Sequence, residues 1–331
     1  MLLADLEIHQ DLNLDAEQTV PRKMVHRAAL SEIFLTRGAK INESRFQCLA
    51  QLPQTNKYFN DISSKIIGYD LILLIEVFRQ ASIYVSHAFI GVPIESKFLY
   101  IDSETSVVAQ NGLELGNTPV AAIVDVRIVD EYRRRGVLQG VTLDMLLLID
   151  GIVVARHDRM RIQWMDDGTW KRVREKGLSR FPDGVNARCP ATTPIQPDIV
   201  GRKWLDNVVI GDVVLEKDGE LRTGLLIPFQ NKAIFDHPLD HIPGMLMLEA
   251  FRQTAFVAIS RANGLPSDHL ALWRCKVEFA KFGEFGFQTE CSIRDEKIIQ
   301  KDSGNLIICN EIILKQDEVV IATADLSFKV S

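Results

Sequence analysis

The segment Glu76-Val-Phe-Arg79-Gln80 returns 173 residues later as Glu249-Ala-Phe-Arg252-Gln253, and each copy stands inside a run that is otherwise almost wholly apolar. The first run extends from Leu71 to Val85 and the second from Met245 to Ile259. A helix that is apolar on every side is a buried helix, so the fold must enclose two of them together with their charges. A buried carboxylate and guanidinium are tolerated only as partners, and removing one of such a pair costs about 3–5 kcal/mol. Few architectures meet that demand twice.

The repetition reaches beyond the helices. Val20-Pro-Arg22-Lys23 resembles Val200-Gly-Arg202-Lys203 at an offset of 180, with an acid ten residues past each Arg, Glu32 and Asp212. Asn56-Lys57 matches Asn231-Lys232 at 175, and Val153-Val154-Ala155 to Asp158 matches Val320-Ile321-Ala322 to Asp325 at 167. Both helical runs close on Gly-x-Pro, at Gly91 to Pro93 and Gly264 to Pro266, where glycine tolerates the left-handed turn and proline cannot continue a helix. Blocks in the same order predict a gene duplication. Each unit reads as an early strand, an approach loop, one long buried helix and then several strands, an α+β arrangement in which an antiparallel sheet wraps a central helix. The drifting offsets place insertions between elements, including roughly 20 residues after Pro93. The units are expected at residues 1–165 and 199–331, with a linker over 166–198 that holds at most one short helix.

Bulk properties narrow the functional classes. Hydrophobic residues make up 47% of the 331, enough for a large core, and a net charge of −6 offers no general footprint for nucleic acid. No uncharged apolar stretch reaches the ~20 residues of a bilayer span, and the first residues lack a signal-peptide pattern, so a cytoplasmic protein with no membrane partner is expected. The five cysteines lack C-x-x-C spacing, which fits reduced thiols and suggests neither a metal site nor a cofactor.

The approach to the second helix, Phe235-Asp236-His237-Pro-Leu-Asp240-His241-Ile-Pro243-Gly244-Met245-Leu, resembles the active-site segment of hotdog-fold enzymes such as the β-hydroxyacyl-carrier-protein dehydratases. Its His-to-Pro-Gly spacing is shorter than theirs. Together with Val20 to Thr36 and both Glu-x-x-Arg-Gln helices, it makes the whole chain resemble the A-factor biosynthesis family of tandem hotdog proteins. That resemblance implies an acyltransferase that moves a β-ketoacyl group from an acyl-carrier-protein or coenzyme A thioester to the hydroxyl of dihydroxyacetone phosphate. A hotdog dehydratase or thioesterase, and a non-catalytic protein that binds an acyl thioester or lactone, are the alternatives. Either a monomeric pseudo-dimer or a homo-oligomer is compatible with the pattern.

Acyl transfer needs a base, oxyanion donors and an acceptor subsite. Glu76, Glu249 and His237 are the catalytic candidates. The helix-start amides of Gly244 and Met245 suit an oxyanion. Arg252 first, then Arg79, suit a phosphate, and His241 is a further substrate contact. Desolvation should raise both Glu carboxyls unless an Arg lies close. The first approach loop has Asn60-Asp61 and Gly68 where the second has Asp236-His237 and His241. In the dehydratases that the segment resembles, the His of one unit works with the acid on its partner's helix. With this asymmetry, the resemblance implies one site per chain, with Glu76 of one unit facing His237 of the other and Arg252 supplying the guanidinium. As an ordinary alternative, each Glu/Arg pair is an i,i+3 ion pair that only knits the units together.

Overall fold

A computed structural model describes residues 16–179, 192–216, 219–300 and 306–331. Both predicted helices form. Helix α1 (Leu71–Val85) passes through one π-helical turn, Ser86–Ile90, and ends at Gly91 with φ 85°. The second-unit helix, Gly244–Asn263, ends at Gly264 with φ 67°. The span Leu71–Ile90 is long and apolar enough to cross a membrane, but 83% of its apolar 18-residue stretch lies buried inside the fold.

In the first unit the strands are β1 (Leu35–Lys40), β2 (Arg45–Leu52), β3 (Lys97–Val107), β4 (Val120–Arg134), β5 (Val137–Ile149) and β6 (Ile152–Met165). In the second they are β7 (Ile210–Leu215), β8 (Leu221–Leu225), β9 (Leu270–Phe279), β10 (Thr289–Gln300), β11 (Leu306–Gln316) and β12 (Val319–Val330). All twelve join one antiparallel sheet in the order β1-β2-β4-β5-β6-β3-β9-β12-β11-β10-β8-β7. The order of the second half mirrors the first, so the duplication is also a pseudo-two-fold, with β3 and β9 paired at its centre. Arg274 on β9 reaches Glu104 on β3 at 2.6 Å across that seam. Where the sequence suggested a single early strand, each unit has a hairpin, β1–β2 and β7–β8. The polar, partly exposed β1 carries no apolar run that would announce it.

Each sheet half curls around its own helix, and the face of α1 from Leu71 to Val77 is buried against the strands as fully as Leu246 to Ile259. The Arg133-Arg134-Arg135-Gly136 run is an exposed hairpin turn between β4 and β5, with Arg135 and Gly136 at φ 51° and 80°. In the segment assigned as linker, helix α2 (Asp167–Leu178) starts on Asp166, whose carboxylate accepts from Thr169 N at 2.7 Å. The helix Gly244–Asn263 is accordingly α3. Cys48, Cys275 and Cys291 are buried free thiols that burial pushes up to about 12. Cys189 lies outside the described residues.

Candidate active site

Glu76 sits on the buried face of α1, where no water can solvate it, so its four lone-pair positions must be met by protein. Arg79, one turn on, bonds it twice, Nε to Oε2 at 2.7 Å and Nη2 to Oε1 at 2.8 Å. Gln80 donates to Oε1 at 2.7 Å. Arg27, from the turn before β1, closes the cluster with Nη2 at 2.7 Å and Nε at 3.1 Å. Burial alone would raise the Glu76 carboxyl, but the guanidinium groups of Arg27 and Arg79 outweigh it and hold the carboxyl at about 2. Glu76 is therefore an ionised anchor and a weak base, and the raised pKa that desolvation alone would produce is not realised.

The second unit repeats this construction around Glu249. Arg202 binds it at 2.9 and 3.0 Å, Arg252 at 2.7 Å and Gln253 at 2.5 Å, and its carboxyl is likewise held down by Arg202 and Arg252 against burial. The two glutamines act alike. Gln80 accepts from Phe34 N and donates to Glu32 O, and Gln253 accepts from Val209 N and donates to Asn207 O. These partners correct the alignment of the repeats. Arg27 with Arg202, Glu32 with Asn207, Phe34 with Val209 and Asp61 with Asp236 are each 175 apart, the offset already seen at Asn56 and Asn231. Arg22 is not the counterpart of Arg202. It lies on the surface and donates to Ala28 O.

The copies diverge in two ways. Asp61 and Asp236 both cap the residue after the cluster Arg, accepting from Lys203 N at 2.9 Å and Ala28 N at 2.8 Å. Asp236 is followed by His237, whose Nδ1 meets Asp236 Oδ1 at 2.5 Å, whereas Asp61 is followed by Ile62 and binds Asn207 instead. Burial would raise the Asp236 carboxyl, but the His237 hydrogen bond and Arg27 bring it to about 2. Finally, Arg252 donates Nη1 to Asp70 at 2.8 Å, while Pro243 takes the corresponding place 173 residues on and leaves Arg79 without such an acid. Arg79 is consequently one-fifth exposed and Arg252 only 3% exposed.

A cavity of about 1430 Å³ opens at the first cluster. His26, Arg27, Arg79, His237, Gly244 and Met245 line it, and an apolar wall runs inward along Ile83, Leu99, Met160, Ile162, Met247 and Leu248. Eight Lys and Arg residues line it against three Asp and Glu, in a chain whose overall charge is negative. The first intrahelical bonds of α3 run from Leu246 N and Met247 N to Pro243 O, so the Gly244 and Met245 amides precede them at the cavity edge. His26, left-handed at φ 51°, is depressed to about 3 by burial and by His87, whose Nε2 it meets at 2.9 Å.

Several sequence expectations change here. Glu76 and His237 share one cluster, joined through Arg27, which lies 3.8 Å from Asp236. Arg252 and Glu249 do not share it, because each acid pairs with the Arg of its own helix and Tyr58 closes over the second cluster. Arg252 is thus buried and held by Glu249 and Asp70, away from the cavity. His241 borders the cavity but is committed to Asp240 at 2.6 Å, the residue that also holds Trp170 and Arg174 of α2. The sequence alone gives Asp236 no role of its own, offers Asp70 only as part of the α1 start and Tyr58 only as a pocket candidate, and carries Arg27 only as part of a motif. The 175 offset of Asn56 and Asn231, carried upstream to Arg27 and downstream to Asp61, exposes both equivalences. Among the described residues no group of three His, Cys, Asp or Glu could hold a metal ion.

Two helix-wrapping half-sheets fused edge to edge, with one charged cluster open between them, define a double hotdog protein. A crystal structure of a protein named as an oleoyl thioesterase from Lactobacillus plantarum shares this fold with a TM-score of 0.51, at 10% identity, over 88% of this chain and 98% of that one. Residues 8–163 and 186–331 both match the A-factor biosynthesis hotdog domain, and the chain belongs to that family. It is 31% identical over 288 residues, 87% of this chain and 90% of the relative, to a 2-oxo-3-(phosphooxy)propyl 3-oxoalkanoate synthase of Streptomyces virginiae. A Streptomyces griseus relative of the same name is 27% identical over 281 residues, 82% of this chain and 86% of the relative.

Proposed function

We propose that the protein is an acyltransferase that joins a 3-oxoacyl group, delivered as a carrier-protein or coenzyme A thioester, to the hydroxyl of dihydroxyacetone phosphate. The observation that carries this is the His237–Asp236 dyad standing beside the Arg27–Arg79 pair in a cavity with a cationic mouth and an apolar interior. Asp236 accepts the Nδ1 proton of His237 and so leaves Nε2 bare as a base, the arrangement that makes a neutral imidazole effective.

In the proposed reaction the apolar wall takes the acyl chain and the thioester carbonyl lies against the Gly244 and Met245 amides, which face the charge that develops on its oxygen. His237 removes the acceptor's hydroxyl proton as that oxygen attacks. The new C–O bond forms, the C–S bond breaks, and the proton passes from His237 to the departing thiolate. Arg79 binds the acceptor phosphate, and Glu76 positions Arg79 and Arg27 without touching substrate. Incubating the protein with a 3-oxoacyl thioester and dihydroxyacetone phosphate tests the proposal. Mass analysis should show the phosphorylated ester, whereas free acid or an unsaturated thioester would instead support hydrolysis or dehydration.

A further inference from the structure

The two clusters differ most where their upstream arginines rest on backbone. Arg202 Nη1 donates to the carbonyl of Tyr58 at 2.5 Å and Arg27 Nη1 to that of Ala233 at 2.9 Å, so Tyr58 and Ala233 hold one position, again 175 apart. In the second cluster the buried phenol ring of Tyr58 lies over the Arg202 guanidinium, 4.5 Å from its carbon to the ring centre, and the hydroxyl donates to Glu249 Oε2 at 3.4 Å. The side chain fills its cluster as a bound molecule would. In the first cluster a methyl group stands there instead, and both Ala233 and Arg27 line the cavity. Arg27 therefore lacks the ring that covers Arg202, and its side chain, 5% exposed, borders the cavity on that side.

Polarity at the inner end of the slot that this leaves is also reversed. Glu249 can turn Oε2 to a hydroxyl because Arg252 is drawn aside to Asp70. At Glu76 the same oxygen is taken by Arg79 Nε, since no acid draws Arg79 away. A molecule entering the open slot meets guanidinium N–H groups where the tyrosine meets a carboxylate, which favours oxygens that only accept. Two adjacent guanidinium groups match a phosphate in geometry as well as charge.

We propose that the slot Ala233 leaves over Arg27, in the place that Tyr58 fills in the second cluster, is the subsite for the phosphate end of the acceptor, and that a cluster takes substrate only where this place is open and the helix Arg is not drawn to an acid. Calling that molecule the acceptor rests on the acyl-transfer proposal; the preference for a phosphate rests on the arginines alone.

Ala233→Val narrows the slot and Ala233→Tyr fills it, with thermal melting as the check on folding. Inorganic phosphate titrated calorimetrically into the unmodified chain should bind saturably, about tenfold more weakly to Ala233→Tyr, with Ala233→Val between them. In turnover the acceptor KM should rise by about tenfold or more while the thioester KM stays within about twofold. Tyr58→Ala should create no second phosphate site, because Arg252 remains held by Asp70. Equal phosphate affinity in the unmodified chain and a folded Ala233→Tyr overturns the subsite, as does failure of the unmodified chain to bind phosphate. If Ala233→Tyr does not fold, unchanged affinity in Ala233→Val overturns it equally. Phosphate binding that depends on Ala233, in a chain that transfers no acyl group, would reject the acyl-transfer proposal and leave the slot standing.

Discussion

Replacing Glu76 with Gln keeps the shape of the buried cluster and removes its charge. The carboxyl lies at about 2 in the fold against an ordinary 4.5. At about 1.4 kcal/mol per pH unit, that difference makes the ionised form worth about 3 kcal/mol to the folded state. The estimate agrees in order of magnitude with the cost of leaving one partner of a buried pair behind, about 3–5 kcal/mol. Because the folded value is the lower one, the stabilisation is complete above pH 4.5 and is lost as pH falls toward 2. Glu76→Gln should therefore be about 3 kcal/mol less stable near neutrality, and the gap should close by about 1.4 kcal/mol for each pH unit below the ordinary carboxyl value. Urea unfolding of both proteins from about pH 7 to about pH 3.5 reads the difference directly, with other carboxylates cancelling between them. A gap that does not change with pH, or that stays under about 1 kcal/mol at neutrality, would refute the account of Glu76 as the ionised anchor of two arginines.

Other substitutions separate chemistry from support. His237→Asn should lower kcat by about 10²–10⁴-fold with melting unchanged, since the half-exposed ring carries little of the fold; normal turnover would remove it as the base. Arg79→Ala should raise the acceptor KM with modest loss of stability, whereas Arg252→Ala, which strands Asp70 and takes one of two arginines from Glu249, should destabilise by about 3 kcal/mol or more. A larger acceptor KM effect from Arg252→Ala in folded protein would reverse the assignment. Gly211→Ala would set its Cβ 2.0 Å from the backbone oxygen of Thr193, so the β7 edge must shift and melting should fall by several degrees, about 1–3 kcal/mol. An unchanged melting curve would show that the loop yields freely.

Much was legible along the chain because duplication writes the same physics twice. The apolar runs with their glycine stops determined both central helices and where they end, and the strand-rich stretches after them determined the α+β class. Family membership was also readable, since the motifs that carry it are contiguous: Val20 to Thr36, the two Glu-x-x-Arg-Gln segments and the approach to Gly244. Spacing even separated the two approach loops, one with His237 and one without.

What tertiary structure alone decided is which charges meet. Each acid's partners come from its own helix and from segments distant in the chain, so the strength of the arginine pairing that lowers the Glu76 carboxyl exists only once the turn at Arg27 packs on α1. Whether a guanidinium reaches the cavity depends on a residue far away: Asp70 buries Arg252, and Pro243 in the same place leaves Arg79 at the cavity. Linear spacing could rank Arg252 above Arg79 because the two helices are near copies there. Burial and pairing are properties of space, and only in space does the first copy become an open cluster and the second a sealed one.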